Sequence, residues 1–176
     1  HASTVIPPLI SGASENAPVS LIILDLDHFK QVNDRYGHDV GDKVLSTFAM
    51  ILSDGLQGAE MAFRYGGEEF LVVLPATTRD QALEWCARRR RAFASHTIDE
   101  LKHVALSFSA GIALAPHAGT SLEACTKAAD VALYRAKISG RNTDIVWGEH
   151  LDRMVPEGPA DPRNAGDRSA RRGKAG

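Results

Sequence analysis

The chain has 176 residues, 44% of them hydrophobic and 24% charged, with a formal net charge of −2. That suits one globular domain with a sizeable core, and the near-neutral balance gives no electrostatic reason to expect a nucleic-acid or membrane-surface partner. No apolar run approaches the ~20 residues of a membrane-spanning helix, and residues 1–18 lack the basic-then-apolar layout of a signal peptide.

In chain order, residues 1–18, with Pro7, Pro8, Gly12 and Pro18, show no sustained period and read as a loose lead-in. The first residue is His1 rather than Met, which reads as a fragment of a longer protein. Ser20 to Asp27 is an unbroken aliphatic run ending in acid, the pattern of a central strand buried on both faces. Asp27 suits a helix N-cap, but Asp25 lies one step inside the run, where an unpaired charge is costly. His28 to Tyr36 reads as a short helix stopped by Gly37. A second helix covers Asp39 to Ser53, with Val40, Val44, Leu45, Phe48, Ile51 and Leu52 facing a core. Asp42 lies off that stripe near the helix start, where the dipole favours a carboxylate even without function, and Gly41 before it allows close approach of a ligand.

Ala62 to Tyr65 and Phe70 to Leu74 have strand chemistry, and Gly66-Gly67 between them suits a tight hairpin turn. The turn lifts Glu68 and Glu69 to the tip, where two repelling carboxylates face either water or a cation. Residues 79–95 form a third helix with Leu83, Cys86, Phe93 and Ala94 inward, and Arg88 to Arg91 spread around it as a solvated face. Val104 to Ala115 is a strand, with Leu106, Phe108, Ala110 and Ile112 alternating. Residues 121–139 form a fourth helix with the stripe Leu122, Cys125, Ala129, Ala132, Leu133 and Ala136. Gly140 ends it, and Asn142 to Trp147 closes as a short strand. The stripes bury Cys86 and Cys125 as free thiols of a cytosolic protein rather than a disulfide. Residues 149–176, poor in large apolar side chains, read as a disordered tail. The order β-α-α-β-β-α-β-α-β predicts an α+β domain over residues 19–148, a largely antiparallel five-stranded sheet surrounded by helices.

Three blocks then stand out together. Asp25-Leu26-Asp27-His28-Phe29-Lys30-Gln31-Val32-Asn33-Asp34 leads into Gly37-His38-Asp39-Val40-Gly41-Asp42. Arg64-Tyr65-Gly66-Gly67-Glu68-Glu69-Phe70 follows, and Ala128 to Lys137 with Gly140-Arg141-Asn142 comes last. In this order and spacing the chain resembles the GGDEF family of diguanylate cyclases, in the GGEEF form of the signature. The resemblance implies a palm-like nucleotidyl-cyclase fold with a ferredoxin-like core. It also implies condensation of two GTP into cyclic di-GMP, with release of pyrophosphate, by a homodimer of facing domains.

The residues carry over one by one. Asp25, the Leu26 carbonyl and Glu68 match the family's Mg²⁺ (or Mn²⁺) ligands, and Glu69 is either a ligand of the second ion or an orienter. Glu68 also matches the proton acceptor and Lys30 the transition-state stabiliser. The backbone around His28 and Phe29 meets phosphate at a helix start. Asn33 and Asp42 match the guanine contacts, and His38 a further substrate contact. Lys137 and Arg141 match the holders of the β- and γ-phosphates, a charge pattern that ordinary helix C-termini share. Arg64 either neutralises the transferring phosphate or pairs with an acid in the sheet.

Three features depart from the family, the mildest being His28, where an aromatic or another residue is more usual. The family's Leu-Thr-Gly-Leu-x-Asn-Arg segment is not found upstream of the first strand, and the inhibitory Arg-x-x-Asp is here Gln57-Gly58-Ala59-Glu60. Product feedback at that place is therefore not expected, which leaves the active site as the docking place for cyclic di-GMP. An upstream sensory or dimerisation domain and a cytoplasmic setting are further expectations. A non-catalytic GTP or cyclic di-GMP binding domain is the alternative, although such relatives usually lose the glutamates or Asp25. A cyclase for another purine nucleotide is disfavoured by Asp42 and Asn33.

Overall fold

The computed structural model describes residues 2–148; the tail expected over 149–176 lies outside the described residues. The unbroken aliphatic run becomes β1 (Val19–Leu26), all eight residues buried. It is flanked on both edges by antiparallel neighbours, β3 (Glu69–Leu74) and β4 (Phe108–Ala115). β2 (Met61–Gly66) and β5 (Asp144–Val146) complete a five-stranded sheet of order β2-β3-β1-β4-β5, antiparallel except for the β4–β5 pair. The α+β architecture and the mostly antiparallel five-stranded sheet agree with the expectation.

Strand side chains alternate between two cores. Ile22, Leu24 and Phe108 join α2 (Phe29–Tyr36), α3 (His38–Ser53) and α4 (Arg79–Ser95) on one face. Phe48 of α3 is central there, edge-on to Phe70 at 5.1 Å between ring centroids and also against Phe93 and Phe108. Leu21, Ile23, Leu71 and Val73 face the other way, onto α1 (Ala2–Ser11) and α5 (Leu122–Ile138). The α3 stripe is buried as its period predicted. On α5 the buried set adds Ala128, while Leu122 is half-buried.

Four readings are corrected. The lead-in contains a helix, α1, with Pro7 and Pro8 inside it. Two prolines remove helix hydrogen bonds, so local signals point to a loop, but Ile6 and Ile10, one turn apart, are fully buried on the sheet and tertiary packing decides. The hairpin turn is centred one residue later than expected. Gly66 pairs with Glu69 after a bulge at Tyr65, so Gly67 (φ 42°) and Glu68 form the loop. On α4 the buried residues are Ala82, Trp85, Cys86 and Phe93, with Leu83 half-buried and Ala94 exposed. Its arginines are not uniformly solvated: Arg89 donates to the Ile51 carbonyl at 3.1 Å, and Arg90 reaches across to Asp144. Finally, β4 begins at Phe108 rather than at 104.

Candidate active site

β1 ends in the first block, and the register there decides what meets. Asp25 lies opposite Glu69 on one side and Ser109 on the other. The Leu26 amide donates to the Glu68 carbonyl at 3.3 Å, so the hairpin tip is stitched to the end of β1. Asp25 is 7% exposed, and Glu68 and Glu69 are half-buried. Burial holds the Asp25 carboxyl above its ordinary range against the pull of Lys137, and Glu68 and Asp27 push the same way as burial. Glu69 is raised chiefly by burial and then by Asp25. A group of acids that disfavours its own ionisation calls for a cation.

Lys137, in the last turn of α5, places its Nζ 2.8 Å from Asp25 Oδ2. That contact is available because α5 lies tightly on β4 at Gly111, where any side chain would strike the helix backbone. Among the described residues no three His, Cys, Asp or Glu side chains gather closely enough to hold an ion unaided. Mg²⁺ usually binds through one or two carboxylates plus substrate phosphates, and the hard oxygen donors of Asp25, the Leu26 carbonyl, Glu68 and Glu69 suit that arrangement.

Around this centre the remaining residues fall into two groups. Phe29 is buried at the start of α2 and Lys30 beside it is exposed. Further along α2, Asn33 abuts α3 so closely that a Cβ on Gly41 would lie 1.9 Å from its Oδ1. The missing side chain at Gly41 thus leaves room for Asn33 and Phe29. The crossing sets Asn33 beside the α3 backbone next to Asp42, which is exposed, as is His38. On the other side, Arg141 is exposed just past α5. Arg64 Nε and Nη2 both donate to the Gly67 carbonyl, at 3.0 and 2.8 Å, bracing the turn that carries Glu68.

Asp27 is not a helix cap. His28 occupies the N-cap position of α2 in a left-handed conformation with no side-chain cap. The Asp27 carboxylate instead accepts from Ser107 Oγ and Ser109 Oγ, both at 2.7 Å, and from the Asn142 amide at 3.0 Å. Sequence reasoning missed these partners because they lie far along the chain; an acid closing a buried strand was the available signal.

With this geometry in hand, the comparisons with known proteins are specific. The family described as diguanylate cyclase, GGDEF domain, matches residues 6–143. The chain belongs to the diguanylate cyclase GGDEF-domain family. It is similar to the response regulator PleD of Caulobacter vibrioides, at 40% identity over 132 residues, 73% of this chain and 29% of that one. The GGDEF domain thus spans less than a third of that curated relative. Its fold is similar to the active GGEEF domain of a diguanylate cyclase from Vibrio cholerae, with TM-score 0.70 and 33% identity over 75% of this chain and 84% of that one. It is also similar to the GGDEF domain of DgcB from Caulobacter crescentus, determined in complex with c-di-GMP, with TM-score 0.75 and 28% identity over 82% of this chain and 86% of that one. No helix among the described residues of this GGDEF domain is long and apolar enough to cross a membrane.

Proposed function

We propose that this domain, residues 19–148 with α1 packed on it, condenses two GTP into cyclic di-GMP, each of two facing copies holding one GTP. The observation that carries the reading is the register pairing of Asp25 with Glu69, with Glu68 in the turn beside them and Lys137 against Asp25. In each half-reaction the 3′-hydroxyl oxygen of one GTP attacks the α-phosphorus of the other. The bond from that phosphorus to the bridging oxygen breaks, and pyrophosphate leaves with the electron pair. Glu68 takes the hydroxyl proton. Lys30, in the first turn of α2, and Arg64, next to the hairpin, balance the charge that builds on the transferring phosphate.

Asp25, the Leu26 carbonyl, Glu68 and Glu69 would hold Mg²⁺ or Mn²⁺, which would supply Lewis-acid charge neutralisation and a lowered pKa for the attacking hydroxyl. Lys137 and Arg141 hold the β- and γ-phosphates, while Asp42 accepts from the paired guanine donors and Asn33 meets the remaining edge, with His38 beside them. Guanine offers two adjacent donors there and adenine does not, so an unmatched carboxylate discriminates strongly. GTP as substrate implies a cytoplasmic domain, and pairing of two copies implies an upstream sensory or dimerising segment.

Residues 57–60 form a closed turn, with the Glu60 amide on the Gln57 carbonyl at 3.0 Å and the Gln57 amide on Glu60 Oε2 at 2.8 Å. Its side chains offer no guanidinium fork for a nucleotide phosphate, which supports product docking at the active site and competitive inhibition by it. Incubation with GTP and Mg²⁺, followed by nucleotide chromatography, tests the reading. Cyclic di-GMP is the expected product; tight GTP binding without product would instead favour a binding-only signalling domain.

A further inference from the structure

Three consecutive residues after α5 have positive φ: Gly140 at 110°, Arg141 at 66° and Asn142 at 47°. The first belongs to an ordinary helix ending. The Arg141 amide donates to the Ala136 carbonyl at 3.1 Å, the long bond of a Schellman cap with glycine at its left-handed position. The cap does not require the next two residues to follow. Asparagine tolerates that region, but arginine is disfavoured there by about an order of magnitude. Such a conformation persists only where its surroundings over-determine it.

The surroundings here do so from two sides. The Asn142 amide is held by Asp27, whose carboxylate is also engaged by Ser107 and Ser109 and is 7% exposed. The Asn142 side-chain Oδ1 accepts from Arg90 Nη1 at 2.8 Å. Arg90 is itself fixed by Asp144 and the Phe108 carbonyl, and lies over the Phe108 ring at 4.3 Å from its centroid. Arg141 thus has its own amide tied to α5 and the next amide tied to Asp27, just past β1, while its side chain is exposed. Asp27 is two residues from Asp25, the partner of Lys137. Both cationic side chains at this end of α5 are therefore referenced to the same strand end.

We propose that Asp27, Arg90 and Asn142 are positioning residues that hold Arg141 poised for the terminal phosphates of the nucleotide. This rests on the reading of Arg141 as a phosphate holder. The Asn142 link of this clamp reaches the terminal phosphates through Arg141, which a binding cycle can read.

The cycle compares the parent domain with Asn142→Ala, Arg141→Ala and the double variant, using calorimetry with Mg²⁺ and a non-reacting α,β-methylene analogue of GTP, and with GMP as control. Asn142→Ala should weaken the analogue about tenfold, the bias against a single left-handed alanine, and leave GMP within about twofold. In the Arg141→Ala background the same substitution should change nothing further. Should the alanine variant misfold, Asn142→Gly, which keeps left-handed φ accessible but loses the Arg90 bond, takes its place in the cycle. Additive losses, equal loss of GMP, or no loss from Asn142 variants would overturn the clamp. An Arg141→Ala variant that binds the analogue like the parent, or a parent that does not bind it, would remove the phosphate role and the clamp with it. A parent that binds the analogue yet makes no cyclic di-GMP would refute catalysis alone, and the cycle would still decide the clamp.

Discussion

Replacing Gly111 by alanine would drive a methyl group into the backbone of α5. A Cβ there would lie 2.0 Å from the Ala129 carbonyl oxygen, 2.3 Å from the Leu133 nitrogen and 2.9 Å from the Leu133 Cα. These are main-chain atoms, so no side chain can swing aside. Restoring ordinary contact at 3.4 Å requires α5 to retreat by about 1.4 Å. Gly111 is not in the left-handed region, so where space allowed the substitution would stabilise by ~0.4–1 kcal/mol through the unfolded chain. Steric cost dominates instead: overpacking of this kind costs about 1–3 kcal/mol. Retreat also thins the contacts of Ala128, Ala129, Ala132, Leu133 and Ala136 with the sheet, which puts the cost at the upper end. For a domain of this size, ~3 kcal/mol corresponds to a fall in Tm of roughly 6–12 °C. The same retreat carries Lys137, one turn beyond Leu133, away from Asp25. Turnover at a temperature where both proteins are folded should therefore fall more than tenfold, since a 1 Å misplacement can cost ~10²-fold in rate. Thermal unfolding by circular dichroism and a pyrophosphate-release assay read the two effects. A Tm within 2 °C of the parent, or a rate that survives a large fall in Tm, would refute the argument that this close approach sets the site.

Glu68→Gln should abolish cyclic di-GMP formation while leaving Tm at or above that of the parent, because one member of a repelling acid group is neutralised; product at the parent rate would contradict the assignment. The nearest atoms that Gly41→Ala meets are Asn33 Oδ1 at 1.9 Å, its amide carbon at 3.0 Å and Phe29 Cζ at 3.3 Å, all in side chains. It should cost less than about 1 kcal/mol in urea unfolding yet raise KM for GTP several-fold by displacing Asn33. An unchanged KM would separate Asn33 from guanine binding. Burial raises the Asp144 carboxyl against the opposing pull of Arg90. A raised acid contributes stability that is fully present below its ordinary value of 3.8 and is lost as pH rises through the folded value. The parent should thus lose stability relative to Asp144→Asn as pH climbs from about 4 toward neutrality, and a constant or opposite difference in unfolding free energies would reject the sign.

The sequence by itself determined the elements whose signals are local. The aliphatic run of β1, the α3 stripe and the glycine–glutamate hairpin each declare their class through the spacing of a few residues, and their order restricts the sheet. The acids were legible for the same reason: Asp25 interrupts a run that should contain no charge, and paired glutamates beside paired glycines are costly unless exposed or occupied.

Only the tertiary structure decided what these residues face. α1 exists because Ile6 and Ile10 find the sheet, a contact strong enough to outweigh two prolines and invisible in a local window. Arg90 was hidden in a run of four arginines whose helical phase points in every direction, and its role depends on Phe108, Asn142 and Asp144 lying beside one face of α4. Asp27 likewise has the composition of a cap, and only the β1–β4 and β4–β5 pairings, which bring Ser107, Ser109 and Asn142 to its oxygens, make it a buried junction. Hydrogen bonds and ion pairs between residues far apart in the chain leave no periodicity behind, because their spacing is set by how the sheet folds back on itself.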